Sequence, residues 1–346
     1  MKETQFDENK LAVCGKDIHM KNAHEMYDSG TVQNGSVYEI KDSKGQAVMT
    51  GYSVYPGIMI MYMDIHRPEL SCEAKPMPDV FAINHCETGR IECNFKNGEY
   101  LYMGEGDMSV GWRRCSAYCH TSVFPLAHYH GVTLLLNLPQ AQETMDRQLG
   151  VGVIDLEAMS RRLCDRRDFG MIMREDASLK HLFYELYHVP ESIKEQYFRI
   201  KVLEILLFLS TIKKVPAEKR ESFTLQQVNV MKDIRKEITE NMMKKFTIEQ
   251  LAKEHGIAPT TLKKCFKGVY GCTVSQYIKE YRMVKAKQML LQTDDSIMEI
   301  ANCVGYENSS KFAVAFHKIT GQLPGEFRRV IRIFKRQGFL SLPFSP

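Results

Sequence analysis

Lysine and hydroxyl side chains recur at matched places in two segments of the C-terminal part of the chain. The first segment holds Thr260, Thr261, Lys263, Lys264 and Lys267, and the second holds Ser309, Ser310 and Lys311. Lys suits contacts to phosphate oxygens, while Ser, Thr and Lys also hydrogen bond to base edges in a DNA groove. An ordinary solvated helix face has a similar composition, so the elements that carry these residues decide between the two interpretations.

These elements form a helical pattern that occurs twice, about 50 residues apart. Thr247-Ile-Glu-Gln-Leu-Ala252 returns as Ser296-Ile-Met-Glu-Ile-Ala301. In each copy a hydroxyl is followed three residues later by Gln or Glu, which predicts a capping box. A short helix, a turn at Gly256 or Gly305 and a second helix follow. This arrangement is typical of a helix-turn-helix, whose second helix enters the major groove of DNA.

The charge of the chain is unevenly distributed. The segment Glu221–Pro346 contains 20 Lys and Arg against 12 Asp and Glu, a net charge of +8. The remainder, Met1–Arg220, contains 26 against 30, a net charge of −4. The positive part therefore coincides with the repeat, and this favours a polyanionic partner there.

The repeat closely resembles the AraC/XylS family of bacterial transcription regulators. The family signature is found as Ile297-x2-Ile-Ala301, Gly305-Tyr306, Phe312-x3-Phe316-x-Lys318, Gly321-x2-Pro324 and Phe327-Arg328. Its earlier half is found as Leu251-Ala252, Gly256, Leu262-x3-Phe266-Lys267, Gly271, Tyr277, Arg282 and Ala286. The segment 262–274, with Tyr281-Arg-Met, is most similar to a branch that includes siderophore-responsive activators such as the pyochelin regulator. Phe124-Pro-Leu-Ala-His-Tyr-His-Gly131 is similar to that branch too.

The resemblance implies a seven-helix domain over 223–330, with two recognition helices held about 34 Å apart in successive major grooves. The DNA-binding positions that it implies are Thr260, Thr261, Lys263, Lys264, Lys267, Asn308, Ser309, Ser310, Lys311 and Val314. Three departures from the family pattern are found. Ala258 stands where a capping Ser is usual, Val314 stands where many relatives carry Arg, and Lys311 stands at a place that is often aromatic. We therefore expect a weaker cap on the first recognition helix, and a second unit that anchors phosphates more than it reads bases. A basic tail, 331–346, follows.

The first 140 residues are predicted to be rich in β-structure, as a cupin-like β-barrel that senses a small molecule. The overall fold class is then α+β, with a helical region at 141–222 for dimerisation or coupling and an all-α double helix-turn-helix domain. Barrel mouths hold ligands between apolar walls and a few polar groups. The predicted effector contacts are Tyr100, Tyr102, Trp112, Arg113, Arg114, Phe124, His128 and His130. A siderophore or another metabolite is the candidate effector.

The helical region contains one long apolar segment, Ser192–Ile212. The 3.6-residue period places Ile193, Tyr197, Ile200, Leu203, Leu207 and Ser210 on one stripe. Apolar residues continue almost all round this helix, so we expect the helix to be buried in the core, with a homodimer interface as the alternative.

The histidines of His128-x-His130 point to the same face if the segment is a strand. Metal-binding cupins use such a pair, but no carboxylate follows closely here, so no metal site is predicted. Asp64 and His66 are interpreted as isolated polar residues near turns.

No phosphate loop, nucleophile elbow or carboxylate pair predicts catalysis, so the chain is not expected to be an enzyme or to need a cofactor. A metal-dependent cupin enzyme fused to a DNA anchor and a ligand-independent architectural protein stay open as alternatives. Since no apolar run suits a signal peptide or a membrane span, and the ten cysteines lack paired metal spacing, we expect a cytoplasmic protein without a membrane partner. The expected partners are promoter DNA and a second copy of the chain, with RNA polymerase as a further candidate.

Overall fold

Residues 19–22, 35–72, 79–94, 99–112, 120–164, 169–174, 177–212 and 222–329 are described by a computed structural model. They fall into two units, Met1–Cys93 with Leu101–Arg220 and Asn94–Tyr100 with Glu221–Pro346. The β-rich segment and the middle helices therefore belong to one unit. Arg113, Arg114 and the basic tail 331–346 lie outside the described residues.

The first unit is built on antiparallel strands. They are β1 (His19–Asn22), β2 (Gly35–Asp42), β3 (Gly45–Tyr55), β4 (Ile58–His66), β5 (Glu69–Cys72), β6 (Val80–Asn94), β7 (Glu99–Gly104), β8 (Met108–Trp112), β9 (His120–Val123), β10 (Tyr129–Asn137) and β11 (Phe169–Met173). The main order is β1-β2-β3-β4-β10-β6-β7, while β8 pairs with β6 and β11, and β9 pairs with β5 and β6.

The expected cupin-like barrel is not confirmed, because the sheet is not closed by any pairing among the described strands. Short alternating strands are shared by barrels and by open sheets, so periodicity does not distinguish them. Closure depends on pairing between strands that are far apart in the chain, and nothing in the local sequence specifies it.

The central strands are apolar on both faces because both faces are covered. On β4, Ile58, Ile60 and Tyr62 face a larger core, and Met59, Met61 and Ile65 face a second core. β10 follows the same alternation: Val132, Leu134 and Leu136 lie in the larger core, and Tyr129 and Leu135 in the second. The period of two in side-chain direction therefore separates two hydrophobic clusters across one sheet.

The helices of the first unit are α1 (Leu138–Leu149), α2 (Leu156–Leu163), α3 (Ala177–Tyr184) and α4 (Lys194–Thr211). α4 packs in the larger core, as expected, but chiefly through residues outside the stripe that the period selects. Phe198, Val202, Ile205, Leu206 and Leu209 enter the larger core, whereas Ile193, Ile200 and Leu207 are exposed. The segment is apolar almost all round, so its periodicity did not select the face that packs against the sheet.

The second unit is helical, as predicted. It contains α5 (Leu225–Glu240), α6 (Ile248–Glu254), α7 (Pro259–Tyr270), α8 (Val274–Gln292), α9 (Ile297–Cys303), α10 (Ser309–Thr320) and a further helical stretch at 324–329. A short strand, β12 (Phe223–Thr224), precedes them and pairs with Glu99 and Tyr100 of the same unit. Among the helices that the structure describes in the whole chain, none is both long and apolar enough to cross a bilayer.

The long helix α8 serves two cores at once. Its first turns bury Val274 and Tyr277, and the Tyr277 ring packs on Phe266 of α7 at 5.6 Å between centroids. Its later turns bury Met283, Ala286 and Leu290 together with Phe312 and Phe316 of α10. Each half of α8 thus forms part of one helix-turn-helix.

Candidate nucleic-acid interface

The first recognition helix, α7, exposes one polar face. Thr260, Lys263, Lys264 and Lys267 are exposed, and Thr261 is half-buried. The opposite face buries Leu262, Cys265 and Phe266 to within 1% of full burial. Since the apolar face fixes the helix, the lysines are presented together in one direction, as the sequence predicted.

The caps of the two recognition helices differ. Ala258 occupies the N-cap of α7 and makes no side-chain cap, while Pro259 begins the helix. At α10 the Asn308 side-chain oxygen accepts hydrogen bonds from the backbone N–H groups of Ser310 and Lys311, at 2.8 and 3.1 Å. Asn308 therefore positions the second recognition helix, a role that a base contact through the same oxygen would interrupt.

The second recognition helix exposes fewer charges. Ser310 and Lys311 are exposed, Ser309 is half-buried, and Val314 is 71% exposed. Phe312 and Phe316 hold the opposite face. Val314 offers only a methyl surface, which suits contact with a thymine methyl group but makes no hydrogen bond.

A groove of about 550 Å³ lies in the second unit, and sequence reasoning missed it. Its cationic lining comes from Lys244, Lys245, Lys263, Lys267, Lys279 and Arg282. Lys244 is paired with Glu237 at 2.9 Å, and Lys245 with Glu307 at 3.0 Å. The charge signal was present in the sequence, but only the fold brings Lys279 of α8 beside the end of α7.

The predicted effector contacts that the structure describes lie in different parts of the fold. Trp112 packs against the larger core, with its ring 5.5 Å from that of Phe81, whereas Phe124 lies in the second core. Tyr102 is buried and donates a hydrogen bond to Glu92 at 2.7 Å. Tyr100 is half-buried and belongs to the second unit.

His128 and His130 lie together, and the structure brings Asp64 and His66 to them. The Asp64 carboxylate contacts Nε2 of His66 at 2.8 Å and also accepts a hydrogen bond from His130. Nδ1 of His128 is 3.3 Å from Nδ1 of His66. The interpretation of Asp64 and His66 as isolated residues is therefore wrong. The antiparallel register of β4 and β10 brings these residues together, and the sequence alone does not specify that register.

The environment sets the protonation of this group. Burial, and then the neighbouring His130 and His66, lower the pKa of His128 to about 4, so its ring is neutral at pH 7. The hydrogen bond with Asp64 raises the pKa of His130 above its ordinary value. The pKa values of His128 and His130 are therefore shifted in opposite directions, although the two rings lie side by side.

A buried histidine outside this group was also missed. His85 is 5% exposed, its ring stacks on Phe183 at 4.3 Å, and its Nδ1 lies 2.9 Å from the Tyr187 hydroxyl. Its Nε2 is buried and has no hydrogen-bond partner among the described residues. Burial lowers the pKa of His85 to about 4, which keeps the ring neutral. A buried polar atom without a partner is uncommon and points to a ligand or a water.

Two helix-turn-helix units on one long helix, each with a polar exposed recognition face, define a DNA-binding domain. A family described as "Helix-turn-helix domain" matches residues 251–330. This domain is of the AraC type, and the structures similar to it include the DNA-binding domains of AraC-family regulators. The assignment to the pyochelin-type branch stays a prediction.

Similar proteins are transcription regulators. Over 96 residues the chain is 38% identical to the bifunctional transcriptional activator/DNA repair enzyme AdaA of Bacillus subtilis, covering 28% of this chain and 46% of AdaA. Over 111 residues it is 22% identical to the HTH-type transcriptional activator RhaR of Mannheimia succiniciproducens, covering 32% and 40%. The chain spans less than half the length of both relatives. Among solved structures, the C-terminal domain of the response regulator yesN from Fusobacterium nucleatum is 31% identical, with a TM-score of 0.28, covering 29% of this chain and 98% of that one.

Proposed function

We propose that this chain is a sequence-specific transcription regulator that binds double-stranded promoter DNA through α7 and α10. The observation that carries the proposal is the matched pair of recognition helices, each of which is fixed by an apolar face and presents polar side chains outward. Phosphate neutralisation by Lys263, Lys264 and Lys267 would make the affinity strongly dependent on salt. Because it acts on DNA, we propose a cytoplasmic location.

The two helix-turn-helix units would contribute unequally to DNA binding. α7 offers three lysines and two threonines, whereas α10 offers Lys311, two serines, a valine and an asparagine that is used as a cap. We therefore propose that α7 reads more of the base sequence and that α10 mainly sets the position on the backbone. RNA polymerase remains a candidate partner, with no surface assigned to it.

A small-molecule effector would bind the sheet unit and control the regulator. The support is the buried Nε2 of His85, which lacks a partner among the described residues, between the aromatic rings of Phe183 and Tyr187. A neutral imidazole there can accept from or donate to an uncharged polar group of the ligand. The barrel form of this unit and the earlier effector positions stay predictions.

Dimerisation would use α4. Its outer face exposes Ile200 by 63% and Leu207 by 39%, and Ile193, the residue that precedes the helix seven positions before Ile200, is 47% exposed. Apolar residues at that spacing form a straight stripe, which suits the packing of a second copy of the same helix.

The experiment that tests the proposed function is selection of binding sites from random duplex DNA by the full chain, followed by fluorescence anisotropy on the selected site. The double variant Lys263→Ala/Lys264→Ala is compared with Lys236→Ala, a control on α5 whose lysine pairs with the exposed Glu240 at 4.0 Å. We expect weaker binding and a lower salt slope for the double variant alone. Recovery of no preferred site, or equal binding by both variants, would contradict the proposal.

A further inference from the structure

Three histidines and one aspartate meet on one face of the sheet. We call His66, His128, His130 and Asp64 the histidine cluster. One potential ligand nitrogen from each of the three imidazoles lies within 4.8 Å of the other two. The side chains of His66, His130 and Asp64 are 23%, 37% and 51% exposed, so a small ion can reach them from solvent.

The register of β4 and β10 builds the cluster. Asp64 is directly opposite His130, and Ile65 is opposite Tyr129. Because side chains alternate along a strand, Asp64 and His66 point to the same face as His130. His128 immediately precedes β10 and reaches the same group. Two strands thus contribute three of the four polar side chains, and the residue before β10 contributes the fourth.

The backbone around His128 is held in an uncommon conformation. Ala127 has a φ of 53°, and among the described residues it is the one non-glycine residue with positive φ. Gly89 lies so close that a Cβ there would be 2.1 Å from the His128 carbonyl oxygen. Positive φ in a non-glycine residue costs energy and is concentrated at functional sites. Here the strained turn aims His128 at His66.

One nitrogen of each ring already has a partner, and for His130 it is Nε2, which hydrogen bonds to the Asp64 carboxylate. Nε2 of His66 is 2.8 Å from the Asp64 carboxylate, and Nε2 of His128 is 3.0 Å from Oγ1 of Thr88. Their Nδ1 atoms face each other at 3.3 Å. For bonds of 2.0–2.1 Å, two ligands of a tetrahedral zinc ion are separated by about 3.3 Å. A carboxylate or hydroxyl behind a ligating histidine is the usual outer shell of a metal site.

We propose that the histidine cluster binds one divalent transition-metal ion of the zinc type. His66 and His128 would ligate it through Nδ1, and His130 would supply the third nitrogen. Asp64 and Thr88 would orient the rings as positioning residues, and a fourth position would stay open to water or to a group of a ligand. Three imidazole nitrogens favour Zn²⁺, Co²⁺, Ni²⁺ or Cu²⁺ over Mg²⁺ or Ca²⁺, which prefer oxygen ligands.

The ion would join β4 to the start of β10 and stabilise the sheet unit. This role does not depend on the proposed function, because binding is measured without DNA. The proposed site differs from the sequence prediction of no metal, which was based on the lack of a carboxylate soon after His130. The carboxylate of the cluster, Asp64, comes from the neighbouring strand β4.

The test is titration of the full chain with Co²⁺ and Zn²⁺ after removal of metal with a chelator. We expect one Co²⁺ per chain, with visible absorption typical of a tetrahedral site, and its displacement by one equivalent of Zn²⁺. Zn²⁺ should raise Tm by mass action. The variant His66→Ala/His128→Ala should lose this binding, and Thr88→Val should weaken it by about 10- to 100-fold.

The matched control is His181→Ala, an exposed histidine on α3 outside the cluster, which should bind as the unmodified chain does. If the double variant does not fold, Asp64→Asn and Thr88→Val still test the site, and circular dichroism without metal establishes that they fold. The proposal is overturned if the unmodified chain binds no stoichiometric Co²⁺. It is also overturned if the cluster variants bind equally well, or if the Co²⁺ spectrum shows sulfur charge-transfer bands from cysteine.

Discussion

The guanidinium of Arg282 donates two hydrogen bonds to the carbonyl oxygen of Met242, at 3.1 and 2.7 Å. Arg282 lies on α8, and Met242 lies in the connection between α5 and α6. The same guanidinium reaches the carbonyl oxygens of Lys244 and Gly305, at 3.2 and 3.4 Å. One side chain of the family signature thus ties the long helix to the start of the first helix-turn-helix and to the turn of the second.

Replacing this arginine should loosen the second unit. Each hydrogen bond from a charged donor contributes about 1.5–3 kcal/mol, so we expect Arg282→Ala to lower the free energy of unfolding by about 3 kcal/mol or more. Urea denaturation of the full chain measures this. Arg282→Lys keeps the charge but not the forked donor, and it should restore less than half of the loss. Equal stability of both variants and the original chain would show that the carbonyls are satisfied by other groups.

The uncapped N-terminus of α7 can be improved. Ala258→Ser should supply an oxygen to a free backbone N–H and raise the free energy of unfolding by about 1 kcal/mol. The opposite change at the matching place of the second unit, Asn308→Ala, should lower it by a similar amount, since two cap hydrogen bonds are lost. Chemical denaturation of both variants checks the pair, and effects of the same sign would refute the comparison.

The division of roles between the recognition helices predicts different mutant behaviour. Lys311→Ala should weaken binding to all sequences alike and lower the salt slope by about one, as expected for a phosphate contact. Lys263→Ala should also relax the preference at one base position, at a cost of about 1–3 kcal/mol on the selected site. Anisotropy on matched and single-substitution duplexes distinguishes the two. The same relaxation of sequence preference for both variants would contradict unequal roles.

His85 should make the sheet unit sensitive to acid. Its pKa falls from 6.5 to about 4 on folding because its ring is buried. Between these two values the unfolded chain binds the proton and the folded chain does not, so stability is present at pH 7 and is lost as the pH falls. Full loss amounts to about 3 kcal/mol. Tm is measured for both proteins at pH 7 and at pH 5. The decrease in Tm between the two pH values should be larger for the original chain than for His85→Gln, each compared with its own Tm at pH 7.

The exposed stripe of α4 predicts a charge-sensitive dimer. Ile200→Glu places a carboxylate on the outer face and should convert a dimer to a monomer in sedimentation analysis, because a buried unpaired charge is costly. Arg199→Gln, at the neighbouring exposed position, lowers the charge by the same one unit and is the control for charge alone. A chain that is monomeric before substitution at micromolar concentration would exclude this interface.

The helix-turn-helix units could be predicted because their information is local. Caps, turn glycines and apolar spacing specify each unit within about 25 residues, and Ser296 with Glu299 forms the complete capping box that was expected. At Thr247 the side-chain oxygen accepts a hydrogen bond from the Gln250 N–H at 3.2 Å, which is one of the two hydrogen bonds of a capping box. The histidine cluster could not be predicted in this way, because His130 and Asp64 are brought together only by strand pairing across 66 positions. The face of α4 that packs could not be predicted for a related reason: the helix is apolar almost all round, and the sheet decides which side of it is buried.

The helix α8 has 19 residues and is shared by the cores of both helix-turn-helix units. At 1.5 Å per residue it is a rigid rod of about 28 Å, which cannot lengthen or twist without breaking its own hydrogen bonds. Inserting one base pair between the two contacted stretches of an operator shifts them by about 3.4 Å along the duplex and turns one against the other by about a tenth of a turn. The protein has no adjustable hinge within α8 to follow that change. Such a regulator would depend more strictly on the spacing of its operator than on any single base pair. Base substitutions in the operator should therefore be better tolerated by evolution than insertions.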